Sequence, residues 1–334
     1  MNLEAVWEDV KGQTYPNAPG SVRRRLKPES PCDVYLGVEL PSRLPMLVLT
    51  VPTAVAKSLQ EEPASAGIVT SLLQVPEGKT DVCMKLVDPK FADMFYRLVE
   101  DIVEKVTQAL TAEAGIQIFV DRFLRWQRFL QRLSPEGLSY TAQLGLYGEL
   151  WFLRRHLFPL LDSLAAVTTW TGPTGANQDF QYVGLAIEVK CTSTKLPLRI
   201  RVQSERQLDA AGIQVLYLAA FTFDIREGSE QTLPELVASI RKDLSENGSA
   251  ANLFEDRLYL AGYLEAHRDQ YQHRSFAIRE EHLFLVKGNF PRIVESDLKP
   301  GVGDVAYSVG ISDCLTYEVQ SKNLADELKL RKTA

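Results

Sequence analysis

Three charged residues in the middle of the chain have the types and spacing that metal-assisted phosphate chemistry requires. Asp179 opens one apolar-alternating run, and Glu188 and Lys190 lie in the next, LAIEVKC. Side chains alternate between the faces of a strand, so Glu188 and Lys190 point the same way. A turn at Gly184 can bring Asp179 to that face. Two carboxylates and the Val189 carbonyl form a hard oxygen site suited to Mg²⁺, beside which Lys190 could orient or deprotonate a water.

The same three charges also fit an ordinary solvated hairpin. Any exposed β-hairpin alternates apolar with charged residues, and two acids and a lysine occur at this spacing by chance in many chains. The interpretation therefore depends on the elements that surround the three residues.

The elements that must position these residues are predicted from the periodicity of residues 140–225. A helix is predicted at 141–159, strands at 166–170, 179–183 and 185–191, the end of a strand and then a helix at 199–212, and a buried strand at 213–223. The order is helix, strand, strand, strand, helix, strand. This order predicts an α/β core.

Two further parts are predicted on either side of that core. Residues 1–134 predict a β-rich N-terminal domain with trailing helices, and the turn cluster SPEGLS, 134–139, is the candidate boundary. Residues 226–334 predict an α+β extension that packs on the core. Its predicted elements are a helix at 232–244, strands at 257–264, 275–288 and 304–311, and a helical C-terminus.

Composition and motif content leave several classes of protein unsupported. The formal net charge of −6 over 334 residues gives no global sign of a nucleic-acid binder, so such a function would rest on a local patch. No Gly-x-Ser-x-Gly elbow, GxxxxGK[ST] loop or GxGxxG turn occurs. The N-terminus lacks a signal-peptide pattern, no segment is apolar enough to span a bilayer, and the four cysteines are far apart. We expect a cytoplasmic protein with no membrane association.

Four local strings give the core a narrower resemblance. They are GLYGELWFL (145–153), WTGPTGANQDF (170–180), IEVKCTS (187–193) and VQSERQL (202–208). With the element order and the acid-acid-lysine placement, they resemble the PD-(D/E)XK nuclease superfamily, which has the restriction-endonuclease-like αβββαβ fold. This resemblance implies that the central sheet of the core is mixed and flanked by helices. The closer similarity is to an uncharacterised bacterial PD-(D/E)XK group encoded beside restriction-modification and phage-defence genes. It is most specific over 141–223 and looser over most of the chain.

The resemblance assigns roles to the central residues. It implies that Asp179 is the motif aspartate and a metal ligand, that Glu188 is the second ligand, and that the Val189 carbonyl is a third. Lys190 would be the motif lysine. The superfamily often has proline before the aspartate, and this chain has Gln178 there.

Glu149, in the helix before the strands, occupies the place where many superfamily members have an extra acid that binds metal directly or through water. The alternative is a surface glutamate or one paired with Arg154 or Arg155. Gly145 and Gly148 are unfavourable inside a helix, so they predict that this helix packs closely on the sheet.

Polar and basic residues follow the proposed metal site. Ser204 and Gln207 could contact DNA or support the lysine, as the superfamily often does, or could form a capping box at the start of a helix. From Lys190 to Arg206 the bases outnumber the acids, which suits a phosphate backbone, and the alternative is a solvated strand edge. The candidate DNA-binding residues are Lys195, Arg199, Arg201, Ser204, Arg206 and Gln207.

The expectation is therefore a Mg²⁺-dependent DNA endonuclease, with Mn²⁺ as a substitute, acting in restriction-modification or phage defence. Its expected partners are DNA, other defence subunits and a second copy of the chain, because a double-strand break usually takes two active sites. Two alternatives stay open: a non-cleaving DNA-binding or assembly subunit of a defence complex, and an RNA nuclease.

Overall fold

A computed structural model of the chain describes residues 3–13, 20–57, 59, 67–132, 137–228 and 231–332. The chain divides into two compact units, Met1–Glu136 and Gly137–Ala334. Residues 134–136 of the predicted boundary lie outside the described residues. The predicted core and the predicted C-terminal extension belong to one unit, the second.

The helices and strands are numbered in chain order. The α-helices are α1 Leu3–Gly12, α2 Thr53–Ala56, α3 Ala92–Val106, α4 Ala112–Arg132, α5 Tyr140–Phe152, α6 Ser163–Thr169, α7 Leu233–Asp243, α8 Gly248–Leu260, α9 Arg268–Tyr271, α10 Ile311–Cys314 and α11 Ser321–Lys332. The strands are β1 Gly20–Arg25, β2 Asp33–Leu40, β3 Leu44–Pro52, β4 Ile68–Val75, β5 Lys79–Leu86, β6 Phe180–Tyr182, β7 Leu185–Thr192, β8 Arg199–Val202, β9 Val215–Arg226, β10 Ser275–Leu285 and β11 Tyr307–Gly310.

The first unit is built on an antiparallel sheet of five strands in the order β1-β2-β3-β5-β4. Helix α1 packs on β2 and α3, and α3 packs on α4. The buried Trp7 of α1 donates from its indole nitrogen to the carbonyls of Gly37, at 3.1 Å, and Met46, at 3.3 Å. The alternating, β-branched runs of this region therefore form the predicted β-rich part, and helices follow it.

The second unit contains a four-stranded mixed sheet in the order β10-β9-β7-β6. Strands β7 and β9 are parallel, and the other two pairs are antiparallel. Helices α5 and α7 and the buried side chains of α8 contribute to the apolar core on one face, and a separate core that includes residues of β8 and β11 covers the other. A mixed sheet flanked by helices confirms the predicted α/β fold class.

The alternation of β7 between these two cores sets the chemistry of the strand. Leu185, Ile187 and Val189 belong to the core that α5 covers. Ala186 belongs to the opposite core. Because the side-chain period is two, Glu188 continues the Ala186 face along the strand.

The predicted strand at 166–170 is wrong, because these residues form most of α6 and then a single bridge between Trp170 and Phe180. Asp162 caps this helix by accepting from the Ala165 amide at 2.9 Å. That cap gives a hydrogen-bond partner to an amide at the helix start. Its stabilisation of the helix outweighs the strand preference of the β-branched residues in the segment. In chain order, Asp179 and Glu188 accordingly belong to the first two strands of this unit, Asp179 directly before β6 and Glu188 within β7, and not to a second and third strand.

Two other predicted elements differ in the structure. The strand predicted at 257–264 is the end of α8, which Asn247 caps by accepting from the Ala250 amide at 3.1 Å. Ala250, Phe254 and Leu258 are buried at a spacing of four, which is a helical period. The helix predicted after β8 is a single 3₁₀ turn, Glu205–Leu208.

The remaining C-terminal elements match the predictions. Helix α7 begins with a capping box in which Thr232 and Glu235 exchange backbone and side-chain hydrogen bonds. Strands β10 and β11 and helix α11 lie where the sequence predicts them. In the part of the chain that the structure describes, no helix combines the length and apolar character needed to cross a membrane.

Candidate active site

The hairpin of β6 and β7 carries the predicted acids and is closed by a two-residue turn. Val183 and Gly184 both have positive φ angles, 38° and 73°, which is the backbone of a type I′ turn. The pairing of Tyr182 with Leu185 and of Phe180 with Ile187 fixes the register. The predicted turn at Gly184 is thereby confirmed.

Asp179 lies one residue before β6 and continues this register to a position opposite Glu188. Its Oδ2 accepts a hydrogen bond from the Val189 amide at 2.7 Å. Its own carbonyl accepts from the amides of Thr171, at 2.8 Å, and Gly172, at 2.9 Å. The Asp179 side chain is thus tied to β7 and its backbone to the preceding loop.

Glu188 and Lys190 form an ion pair on one face of β7. The Lys190 Nζ atom lies 2.6 Å from Glu188 Oε1, and the side chains are 12% and 0% exposed. Apart from this contact, neither buried Glu188 oxygen meets a hydrogen-bond donor among the described residues. A fully buried carboxylate with a single lysine as its partner is an unusual feature for a purely structural position.

Glu149 reaches the same region from helix α5. Its Oε2 accepts from the indole nitrogen of the buried Trp170 at 2.8 Å. A Cβ atom at Gly172 would lie 2.9 Å from Asp179 Oδ1 and 3.5 Å from Glu149 Oε2, so the two carboxylates border one small space above this glycine. The predicted alternative of pairing with Arg154 does not apply, because Arg154 binds Asp243 at 2.7 Å.

The environment disfavours the charged forms of all three carboxyl groups. Burial, followed by the charge of Asp179, raises the pKa of Glu149 to about 8. The hydrogen bond from Trp170 and the charge of Lys190 oppose that rise in the pKa of Glu149. Burial raises the pKa of Asp179, and burial with the Asp179 charge holds the pKa of Glu188 well above its ordinary value. Burial acts to lower the pKa of Lys190, but the carboxylates outweigh it and raise that pKa.

Accessibility differs among the acids. Glu149 and Asp179 are closely surrounded by protein yet stay partly accessible to solvent, whereas Glu188 is fully buried. Three carboxylates and one lysine carry a formal charge of −2 when all are ionised. A divalent cation would neutralise that charge and supply partners for the Glu188 oxygens.

The donor chemistry fits a hard divalent cation, although the site is not a closed cage. Among the described residues, no three side chains of His, Cys, Asp or Glu lie together as a metal-binding group. Mg²⁺ is commonly held by only one or two carboxylates and keeps several waters. Asp179 and Glu188, with Glu149 near Asp179, supply that kind of donor set. Because Lys190 contacts Glu188 Oε1, its ammonium group would have to move away from that oxygen when a cation binds there.

Gln178, at the position of the missing motif proline, joins the hairpin to the 3₁₀ turn. Its Nε2 donates to the carbonyl of Arg206 at 3.0 Å, and its Oε1 accepts from Gln181 at 3.0 Å. In that turn, Ser204 accepts from the Arg206 amide at 3.2 Å, and Gln207 accepts from the Gln203 amide at 2.8 Å. Ser204 and Gln207 therefore have local capping roles, and a role in DNA binding stays a prediction.

The predicted basic residues lie on the surface near the hairpin. Lys195, Arg199 and Arg201 are exposed and have no acidic partner among the described residues. Arg206 lies 3.6 Å from Glu205, in a weak ion pair. A cavity of about 660 Å³ opens between the hairpin and the 3₁₀ turn, with Arg206 in its lining.

The two helix glycines behave differently. A Cβ atom at Gly148 would collide with the Cys191 sulfur of β7, which confirms the predicted close packing of α5 on the sheet. A Cβ atom at Gly145 would meet nothing within 4 Å, so the same prediction is wrong for that residue.

Two residues of the site were missed by the sequence reasoning. Trp170 donates to Glu149, and Gly172 leaves room for the carboxylates. The predicted strand at 166–170 hid the role of Trp170, since a strand tryptophan is expected to pack in the core. A Gly-Pro dipeptide is typical of any loop, so only the position of Asp179 reveals the contact that Gly172 makes.

Comparison with known families identifies the chain. Residues 3–312 match the family described as "Putative PD-(D/E)XK family member, (DUF4420)". The match covers most of the chain, so the protein belongs to this family and to the restriction-endonuclease-like class that its fold and acidic hairpin define. No curated protein and no solved structure matches the chain.

Proposed function

We propose that the protein is a divalent-metal-dependent DNA endonuclease. The observation that carries the proposal is the arrangement at one end of the hairpin, where Asp179 is bonded to the Val189 amide and Lys190 contacts the buried Glu188, with Glu149 of α5 beside Asp179. Members of the PD-(D/E)XK class are usually nucleases, and the family assignment supports the same chemistry.

Each residue of the site has a part that its surroundings support. Asp179 and Glu188 would hold Mg²⁺ or Mn²⁺ together with the Val189 carbonyl, and Glu149 would act from the other side of Asp179. A bound divalent ion supplies charge neutralisation at the phosphate and a water of lowered pKa. Lys190, which carries its proton in this acidic setting, would orient that water and stabilise negative charge on the phosphate.

The substrate is assigned from the surface beside the site. Lys195, Arg199 and Arg201 are exposed and have no acidic partner among the described residues, so they suit contacts to a phosphate backbone. Replacing Arg199 and Arg201 by glutamine should weaken DNA binding and reduce its salt dependence by about one phosphate contact for each residue. An unchanged slope of log affinity against log salt would remove these residues from the proposed interface.

The central experiment is a cleavage assay with Mg²⁺ or Mn²⁺ on methylated and unmethylated duplex DNA and on RNA of the same sequence. Asp179→Asn and Glu188→Gln should each lower the cleavage rate by at least about 100-fold, because each removes a charged ligand. Glu246→Gln, at an exposed position, is the matched control. Full activity in both site variants would refute the assignment, and preference for the RNA would change the substrate class.

The Lys190–Glu188 contact also favours a second candidate, a non-cleaving DNA-binding or assembly subunit. As it stands, this contact occupies one oxygen of the proposed ligand Glu188. Calorimetric titration with Mn²⁺ distinguishes the two candidates. Heat of binding that is lost in Asp179→Asn supports the nuclease, and DNA binding without any metal binding supports the second candidate.

The cellular setting and the assembly belong to the same proposal. We infer that the protein acts on duplex DNA as a homodimer, because a double-strand break usually takes two active sites. Sedimentation of the DNA complex measures this. A complex that holds one protein chain and still makes double-strand breaks would contradict the inference. A role beside other restriction-modification or phage-defence subunits would be tested by phage plating with and without the Asp179→Asn variant.

A further inference from the structure

The turn of the β6–β7 hairpin is contacted by α11, which follows the other described helices in the chain. Arg331 of α11 donates from Nε to the Val183 carbonyl at 3.0 Å and from Nη2 to Gln214 Oε1 at 3.4 Å. Its Nη1 atom contacts the Glu327 carboxylate one helical turn back, which orients the guanidinium. The Arg331 side chain is only 8% exposed. One planar group thus joins α11 to the turn and to the chain that leads into β9.

The turn that Arg331 contacts needs such support. Val183 is a β-branched residue with a φ of 38°, a conformation that is an outlier for this residue type. Type I′ turns favour Asn-Gly, which adopt positive φ readily, and this turn has Val-Gly. The Val183 side chain is 60% exposed, so it gains little from packing. Strain of this kind persists where surrounding contacts over-determine the backbone.

The hairpin itself supplies few contacts to fix β6. Strand β6 has three residues and forms one edge of the sheet, and apart from a single bridge from Phe180 to Trp170 its described pairing is with β7. Asp179 lies at its far end, directly before Phe180. A change in the angle or register of β6 would therefore be transmitted to the Asp179 carboxylate and to its bond with the Val189 amide.

We propose that Arg331 is a positioning residue, which holds the strained Val183–Gly184 turn and thereby keeps Asp179 in place for metal binding. This inference deepens the proposed nuclease function and rests on it only for the catalytic readout. Helix α11 is anchored by Leu324 and Leu328, which are buried in the main core, so its end is a rigid support for the turn.

The test compares Arg331→Met with Lys332→Met, a matched loss of one positive charge at the neighbouring, exposed position. Hydrogen exchange in the full chain is measured for 177–191 and, as a reference, for 213–223. Arg331→Met should speed exchange in the hairpin by roughly tenfold, because bonds from a charged donor to the turn are lost, and leave the reference segment unchanged. Lys332→Met should match the wild type.

A rescue variant separates positioning from a general effect on α11. Val183→Asn gives the turn its favoured Asn-Gly sequence, so Val183→Asn/Arg331→Met should recover most of the slow exchange and the Mn²⁺ affinity of the hairpin. Unchanged hairpin exchange in Arg331→Met, or no recovery in the double variant, would overturn the inference. If Arg331→Met does not fold, folding restored by Val183→Asn supports the inference, and failure to restore it counts against it.

The outcomes also separate this inference from the nuclease assignment. Faster hairpin exchange in Arg331→Met, with rescue, supports the positioning role even if no form of the protein cleaves DNA. If the wild type cleaves DNA and Arg331→Met has the same kcat and the same dependence on metal concentration, the nuclease assignment stands and the positioning role is overturned.

Discussion

Glu149 should make the metal-free protein less stable as the pH rises, and Glu149→Gln should remove much of that dependence. Burial and the neighbouring Asp179 charge raise the pKa of Glu149 to about 8 from an ordinary value of 4.5. Glutamine keeps an oxygen that can accept the indole hydrogen bond from Trp170. The substitution therefore removes the titration and retains the contact.

The direction follows from where the proton resides. Below the ordinary pKa of a glutamate, Glu149 holds its proton in the folded and in the unfolded chain. Between that value and about 8, the unfolded chain releases the proton while the folded chain keeps it. The stabilisation present at low pH is thus lost progressively as the pH rises through the folded-state pKa.

The magnitude is set by the width of this window. Each pH unit within it lowers the free energy of unfolding by at most about 1.4 kcal/mol. Because Glu149 is partly accessible to solvent, we expect a total of about 2–3 kcal/mol between about pH 5 and about pH 8.5. Removing the Glu149 charge also removes its repulsion of the Asp179 carboxylate. This further reduces the loss of stability of Glu149→Gln at high pH relative to the wild type.

Urea unfolding in the presence of a chelator measures this effect. The wild type should lose stability across the pH range, whereas Glu149→Gln should lose about 2–3 kcal/mol less, and the exposed Glu246→Gln should follow the wild type. Mg²⁺ should flatten the wild-type curve, since a bound cation favours the ionised carboxylates. Parallel curves for the wild type and Glu149→Gln would refute the electrostatic account of the site.

Two further substitutions test the packing and charge of β7. Lys190→Met should destabilise the protein by about 3–5 kcal/mol in urea unfolding, because it leaves Glu188 buried without a counter-charge. Adding Glu188→Gln to the same chain should restore most of the lost stability. A double variant that is no more stable than Lys190→Met would contradict the pairing of these residues. Gly148→Ala should lower stability by about 1–3 kcal/mol through its clash with Cys191, whereas Gly145→Ala should raise it by about 0.5–1 kcal/mol. Equal effects of the two alanines on the thermal midpoint would contradict the packing of α5.

The central hairpin could be predicted because its residues are neighbours in sequence and obey a short period. Strand alternation alone places Glu188 and Lys190 on one face, and a glycine in a two-residue connection predicts the turn that brings Asp179 back. The same reasoning identifies the buried strand β9, which is apolar on both faces.

The errors arose where a local cap outweighed composition. The segments that became α6 and the end of α8 are rich in β-branched or aromatic residues, which favour strands. Asp162 and Asn247 nevertheless start helices there by accepting amide hydrogen bonds. The signals were present in the sequence, as an Asp or Asn just before the segment, and they were not weighed against propensity.

Contacts between distant parts of the chain could not be read from the sequence. The bond from Trp170 to Glu149 and the bonds from Arg331 to the turn join residues whose proximity depends on how the helices pack on the sheet. Periodicity specifies which side of an element is buried and says nothing about which partner it meets. The placement of the hairpin acids could therefore be predicted, and the residues that contact them could not.

The physical state of Glu188 explains why those supporting contacts are needed. A fully buried carboxylate opposes folding, and among the described residues Lys190 is the partner that offsets its charge. The strained Val183 adds a second unfavourable feature to the same hairpin. A fold selected for stability alone would replace both, since a buried apolar pair is often more stable than a buried ion pair. Both features lie in one short hairpin, whose surroundings Trp170 and Arg331 hold in place, and unfavourable arrangements of this kind are typical of functional sites.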